Sequence, residues 1–302
     1  MIYNQFFGLK EAPFQLTPDT HYFFEYPSHL EALNTLILAI KSGEGFVKVT
    51  GEVGTGKTLL SRKLMRMCAA SFTLAYIPNP RLSPAGLQRA LATELEIPAK
   101  LHHNAHQLLN AIYLKLIERQ RKGKPILLVI DEAQTLPEDT LESLRLLTNM
   151  ETEKSKLLQV VLFGQPELDT TLNQDNLRQL KQRIVFNYYL KPMAPKAIEH
   201  YIDHRLERAG YQGQPLVSVR AKRKIAKHSQ GIPRLINILA HKALMAAYGQ
   251  HSTTVESRHV SAAIRDTESV MPEKNTRVPL TVLGVSASIC IALTAGFFVL
   301  GV

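Results

Sequence analysis

The sequence predicts an α/β protein: five parallel strands alternating with helices, then a small all-helical unit and one apolar C-terminal helix. Three stretches carry that reading. Gly51-Glu52-Val53-Gly54-Thr55-Gly56-Lys57-Thr58 fits G-x-x-x-x-G-K-[ST] at every fixed position. Ile126 to Ile130 is an unbroken apolar run closed by Asp131-Glu132, the pattern of a central parallel strand whose carboxyl end reaches a ligand crevice. From Pro195 onward the apolar spacing is helical throughout.

In chain order, Met1 to Leu30 is dense in aromatic residues and proline, among them Tyr3, Phe7, Phe14, Tyr22 and Phe23. It is too apolar for a solvated arm and is expected to pack on the α/β unit that follows. Residues 29–41 have helical spacing through Leu33, Leu36, Ile37 and Ile40. Phe46-Val47-Lys48-Val49 reads as a buried strand, residues 59–70 as a helix, and residues 72–77 as the next strand, ending at Pro78-Asn79-Pro80. Ser83-Pro84 is a cap residue followed by proline at the first helical position. Helical patterns run to about residue 96 and again over 104–122, where Gly123-Lys124-Pro125 stops them. After the 126–130 strand come a helix over 136–149 and strands over 157–163 and 184–189. Helices over 196–209, 219–228, 235–248 and 257–268 complete the small bundle. The implied divisions are 1–41 packing on the core, an α/β core at 42–193, a helical lid at 194–270, a link at 271–278 and an apolar tail at 279–302.

Composition narrows the class. Hydrophobic residues are 45% and charged residues 21%, a globular balance that excludes a disordered or low-complexity chain. Cys68 and Cys290 are the two cysteines, with no partner at disulfide or metal spacing, so a reducing compartment is expected. His102, His103 and His106 lack a cysteine or carboxylate at zinc spacing and read as a solvated helix start. Residues 1–191 hold 22 Lys+Arg against 19 Asp+Glu, whereas residues 192–302 hold 14 against 7, so most of the net +10 sits in the C-terminal part. Pro279 to Val302 runs 24 residues without a charge, enough for a membrane span of about 20 residues. Lys274 and Arg277 precede it, which by the positive-inside rule keeps the body of the protein in the cytosol.

The chemistry follows from the motifs. A strand turning sharply into a helix aims backbone N–H groups and the positive helix end at one point, and a triphosphate suits it. The glycines allow close backbone approach, Lys57 supplies charge for the terminal phosphates, and the Thr58 hydroxyl is a ligand for Mg²⁺. Asp131 is suited to hold Mg²⁺ through water, and Glu132 to orient and polarise an attacking water. The aromatic segment ahead of the loop is placed to border the adenine.

Five strands, a helical lid, Lys57, Asp131-Glu132 and Gly231-Ile232-Pro233-Arg234 together resemble an AAA+ ATPase. Phe7-Gly8-Leu9, Ala12-Pro13-Phe14, Thr17-Pro18-Asp19, Asp131-Glu132-Ala133-Gln134 and Gly164-Gln165-Pro166-Glu167-Leu168 narrow the resemblance to the general secretion pathway protein A (ExeA-like) family. Chain length brings it near the branch serving biogenesis of the mannose-sensitive haemagglutinin (MSHA) type IV pilus. The resemblance implies ATP and Mg²⁺ as ligands, Gly51 to Leu59 with Asp131 and Arg234 as the nucleotide set, and Thr58 with Asp131 at the metal. It implies Gln165 as the first sensor, Arg234 as the second, and Arg183 as the arginine acting on a neighbouring subunit, with Arg178 its rival. Asn79 is implied as a restraint on Glu132. The expected protein is a homo-oligomeric ATPase anchored in the inner membrane, with pilus or secretion envelope proteins as partners. Two alternatives stand beside it: a DNA-associated ATPase using Lys222-Arg223-Lys224 and Lys227, and a nucleotide-gated scaffold with little turnover.

Overall fold

A computed structural model describes residues 2–101, 104–151 and 155–267. The strands β1 (Phe46–Thr50), β2 (Thr73–Ile77), β3 (Ile126–Ile130), β4 (Leu158–Gly164) and β5 (Ile184–Tyr189) form one parallel sheet in the order β2-β3-β4-β1-β5. The three inner strands β1, β3 and β4 are buried on both faces, which is why β3 reads as a continuous apolar run and β1 and β4 as mainly apolar ones broken by Lys48 and Gln159. Alternation sorts their side chains. Ile126, Leu128, Ile130, Val160 and Leu162 face α3 (Pro84–Glu94), α4 (Ala105–Arg121) and α5 (Glu138–Leu147). Leu127, Val129, Val161 and Phe163 face α1 (Pro27–Lys41) and α2 (Lys57–Cys68). Ser83 caps α3 by accepting from the Gly86 N–H, and Asn104 caps α4 from His106 and Gln107. Lys48, within β1, is buried and ion-paired with Asp169 of α6 (Glu167–Leu172). A short helix, α7 (Arg178–Arg183), leads into β5.

The lid is α8 (Pro195–Arg208), α9 (Val219–Ser229), α10 (Pro233–Gly249) and α11 (Ser257–Arg265). Proline at the first turn starts α8 and α10, and the Ser218 hydroxyl caps α9. Gly231, at φ +79°, makes the turn between α9 and α10, where a Cβ would lie 2.4 Å from the Met193 carbonyl oxygen.

The N-terminal segment departs from expectation. α1 and Phe23 pack on the α/β core, and Arg62 of α2 donates to the Pro18 carbonyl (2.5 Å). Tyr3, Phe7, Leu9, Phe14 and Tyr22 instead share one apolar cluster with Ile198, Ile202 and Leu206 of α8 and the interior of α10. The cause is local spacing: Tyr22, Phe23 and Phe24 lead into extended backbone, so Phe23 turns to the core while its neighbours turn to the lid. Residues 2–22 therefore form a strap on the lid. The chain crosses between lid and core along 23–26 and again along 190–194, and the crossings are bonded together. The Ala194 N–H donates to the Tyr26 hydroxyl (3.0 Å) and the Lys191 N–H to the Ser28 hydroxyl (3.2 Å). The expected membrane helix at 279–302 lies outside the described residues, as do His102 and His103. Among the described residues no helix is long and apolar enough to cross a membrane.

Candidate nucleotide site

The phosphate loop leaves β1 at Thr50 and enters α2 at Lys57. Gly54 and Gly56 hold φ of +81° and +100°, conformations that favour glycine. The Thr55 hydroxyl and N–H both donate to the Glu52 carbonyl (2.8 and 3.3 Å), closing the loop on itself. Lys57 is buried, and its ammonium donates to the carbonyls of Gly51 (2.7 Å) and Glu52 (3.0 Å). Burial pulls its pKa down, against the upward pull of Glu132, Asp131, Glu52 and Glu167. A loop of N–H groups with a desolvated ammonium at its centre attracts a polyphosphate.

His29 of α1 supports the loop from behind. Its Nε2–H donates to the Thr55 carbonyl (3.0 Å), and burial lowers its pKa, so the neutral ring makes this bond. A Cβ on Gly56 would lie 3.0 Å from that nitrogen.

The end of β3 brings Asp131 and Glu132 to the same place. Asp131 is 2% exposed. Burial raises its pKa, while the neighbouring Thr58 hydroxyl and the Glu132 N–H, which donates to its carboxylate (3.0 Å), pull the other way. Glu132 sits at φ +52°, an uncommon backbone state for a non-glycine residue that recurs at functional sites. Two amides hold its carboxylate, Gln134 Nε2 at 2.7 Å and Gln165 Nε2 at 3.2 Å. The Gln165 N–H donates in turn to Gln134 Oε1 (3.0 Å).

The lid closes the site. The N–H of Arg234, in the first turn of α10, donates to the Gly54 carbonyl (3.2 Å), and a Cβ on Gly54 would lie 2.6 Å from the Arg234 Cβ. Between loop, lid and strap lies a cavity of about 350 Å³, lined by Val53, Gly54, Gly56 to Leu59, Glu132, Gln165 and Arg234, and by residues 15–19, Tyr201, Arg205 and Asn237. That size lies in the range of small-ligand sites. Thr58 and Asp131 offer hard oxygen atoms suited to Mg²⁺. Among the described residues no group of three His, Cys, Asp or Glu side chains could hold a metal, so Mg²⁺ here would share its coordination with phosphate oxygens and water.

Several expected residues stand apart from the cavity lining. Arg183 is hydrogen-bonded to Asn149, and Arg178 is exposed at the start of α7. Asn79 is exposed beyond β2; among the described residues the amides on Glu132 are those of Gln134 and Gln165. On α9, Lys222 is buried and paired with Asp203 (2.6 Å), Arg223 lies 3.6 Å from Glu199, and Lys224 donates to Ser261 (2.5 Å). Sequence reading missed His29, Gln134 as a restraint, and the group formed by Arg205, Tyr201 and Asn237. For Gln134 a signal existed, its place two residues after Glu132; the others are joined only by the fold.

The sheet order, the glycine-rich loop and the lid define an α/β P-loop fold of the AAA+ type. Residues 40–172 match the family model described as an AAA domain. Over 272 residues the chain is 40% identical to general secretion pathway protein A of Aeromonas hydrophila. This match covers 90% of this chain and 50% of the relative, so the chain spans about half the relative's length. In fold the chain resembles the ORC2 protein of Aeropyrum pernix (TM-score 0.63, 14% identity, 85% of this chain and 73% of that one). It also resembles Cdc6p of Pyrobaculum aerophilum (TM-score 0.65, 18% identity, 82% and 70%). The RuvB branch-migration motor of Thermotoga maritima is a third likeness (TM-score 0.56, 16% identity, 86% and 76%).

Proposed function

We propose that this chain binds and hydrolyses ATP with Mg²⁺, and that it serves assembly of a type IV (MSHA-like) pilus or secretion machine from the inner membrane. The observation that carries the enzymatic half is Glu132. Its carboxylate is held by two amides at the rim of the cavity that also contains Lys57 and, through Thr58, Asp131. Amide donors leave a carboxylate free to accept a further proton or water, so Glu132 can aim water in line with the leaving oxygen. Lys57 exchanges its loop carbonyls for the β- and γ-phosphates. Thr58 and Asp131 would hold Mg²⁺, which supplies charge neutralisation across the phosphates when bound. Arg234 senses the nucleotide from the lid, and Gln165 links the γ-phosphate position to Glu132. Arg183, released from Asn149, or the exposed Arg178 completes the site of a neighbouring copy.

The test is turnover by wild type against Glu132→Gln at concentrations where the protein self-associates. Turnover that survives the change removes Glu132 from its role; a wild type that binds ATP but never turns it over favours the scaffold.

The membrane tether rests on the uncharged run at 279–302, and the envelope partners on the similarity to general secretion pathway protein A. Deleting 279–302 should release the protein from membranes with ATP binding intact; continued pelleting with membranes removes the tether. Of the residues the DNA-associated alternative would use, Lys222 is buried on Asp203 and Lys224 donates to Ser261, which leaves Arg223 and Lys227 exposed on α9. Duplex binding that weakens steeply with salt would favour that alternative.

A further inference from the structure

The cavity lining divides into two sets. The phosphate loop, with Glu132 and Gln165, accounts for the polyphosphate end, so the strap backbone at 15–19 and the lid side chains beside it must receive the nucleoside. Arg205 of α8 belongs to that second set. It is only 5% exposed, and among the described residues no carboxylate lies within ion-pair distance of it. Its charge is met instead by strap carbonyls and tyrosines. Nε donates to the Pro13 carbonyl (2.5 Å), one terminal nitrogen to the Gln15 carbonyl (3.4 Å) and the other to the Tyr201 hydroxyl (2.9 Å). The guanidinium also lies 4.6 Å from the centre of the Tyr22 ring. The network closes through Asn237, which accepts from the Tyr201 hydroxyl (3.0 Å) and donates to the Gln15 carbonyl (3.5 Å).

A buried guanidinium spent on two backbone carbonyls fixes a segment that has no strand or long helix of its own there. Those carbonyls lie at the start of the backbone that lines the cavity at Gln15, Leu16 and Thr17. We infer that Arg205 is a positioning residue for nucleoside recognition: by holding the strap at Pro13 and Gln15 it sets the base-dependent part of affinity, leaving the phosphate-dependent part to the loop. This rests on the proposed reading of the cavity as an ATP site.

The experiment titrates the full chain with Mg-ATP and with Mg-tripolyphosphate, which carries the phosphates without the nucleoside. Wild type should bind both; failure to bind either overturns the ATP-site reading itself. Arg205→Ala should weaken ATP about tenfold, the scale of a lost charged hydrogen bond, with tripolyphosphate changed less than about twofold. Arg205→Lys, which retains charge without the fork, should recover part of the loss. Tyr201→Phe keeps the ring and removes one hydroxyl, and it decides the matter should the alanine variant fail to fold: ATP affinity should fall about threefold with tripolyphosphate unmoved. Equal losses for both ligands, or no loss for ATP, overturn the inference.

Discussion

Lys57 reaches the Gly51 carbonyl across 6 positions of sequence, whereas Arg205 reaches Pro13 across 192 and Asn237 reaches Gln15 across 222. One wall of the cavity is thus made by a short stretch folding onto itself, and the other by segments from opposite ends of the described chain. The first wall stands wherever its strand and helix stand. The second exists only when the lid has folded and the strap has docked, so it can be loosened without disturbing the loop.

The largest expected effect tests the local wall. Lys57→Ala should lower Mg-ATP affinity by about a hundredfold or more, because the central ammonium of the anion site is gone. Calorimetric titration checks this, and undiminished affinity would remove the loop from the account. Glu132→Gln should cut turnover by about 10²–10⁴ while leaving ATP affinity within about threefold, read by phosphate release beside equilibrium binding. Gly54→Ala attacks the seam between the two walls. The new methyl meets Arg234 Cβ at 2.6 Å at a φ that disfavours alanine, so the lid must shift at a cost of about 1–3 kcal/mol. Denaturant unfolding and ATP affinity should both register it, and a variant as stable as wild type would show the seam to be slack.

The smallest effect concerns protonation. Burial raises the pKa of Asp131 above its ordinary 3.8, so the native state holds this proton better than the unfolded chain does. The contribution of Asp131 to stability therefore declines as pH rises from about 3.8 through its folded pKa. Asp131→Asn should abolish that slope and leave the nucleotide-free protein at least as stable at pH 7, while weakening Mg²⁺-dependent binding. Thermal melts across pH without nucleotide check it; an unchanged slope would mean the carboxyl is well solvated.

The same contrast explains what could be read from the residues alone. Four of the five strands were legible because β1, β3 and β4 are mainly apolar and buried on both faces and β5 alternates, and β2 because Thr73 to Ile77 ends at Pro78-Asn79-Pro80. The loop, Lys57, Asp131 and Glu132 were legible because their chemistry is written in consecutive positions. Gln134 was half-visible, since its spacing from Glu132 is local but its bond depends on the left-handed turn at Glu132. His29 gave no sign, for its target carbonyl lies 26 residues away. The strap was misassigned because its aromatic residues announce burial without saying against what, and the lid cluster that receives them begins at Met193. Periodicity marks which face is apolar; only the closed fold says which apolar face meets which.

The paired crossings at 23–26 and 190–194 have a mechanical meaning. A domain hung from one covalent thread can pivot in any direction, but two threads pinned side by side through Tyr26 and Ala194 behave like a door on two pins. Swinging toward or away from the sheet keeps both pins seated; twisting about the long axis shears the bond between them. If the lid moves with nucleotide as proposed, these two pins favour a swing over a twist.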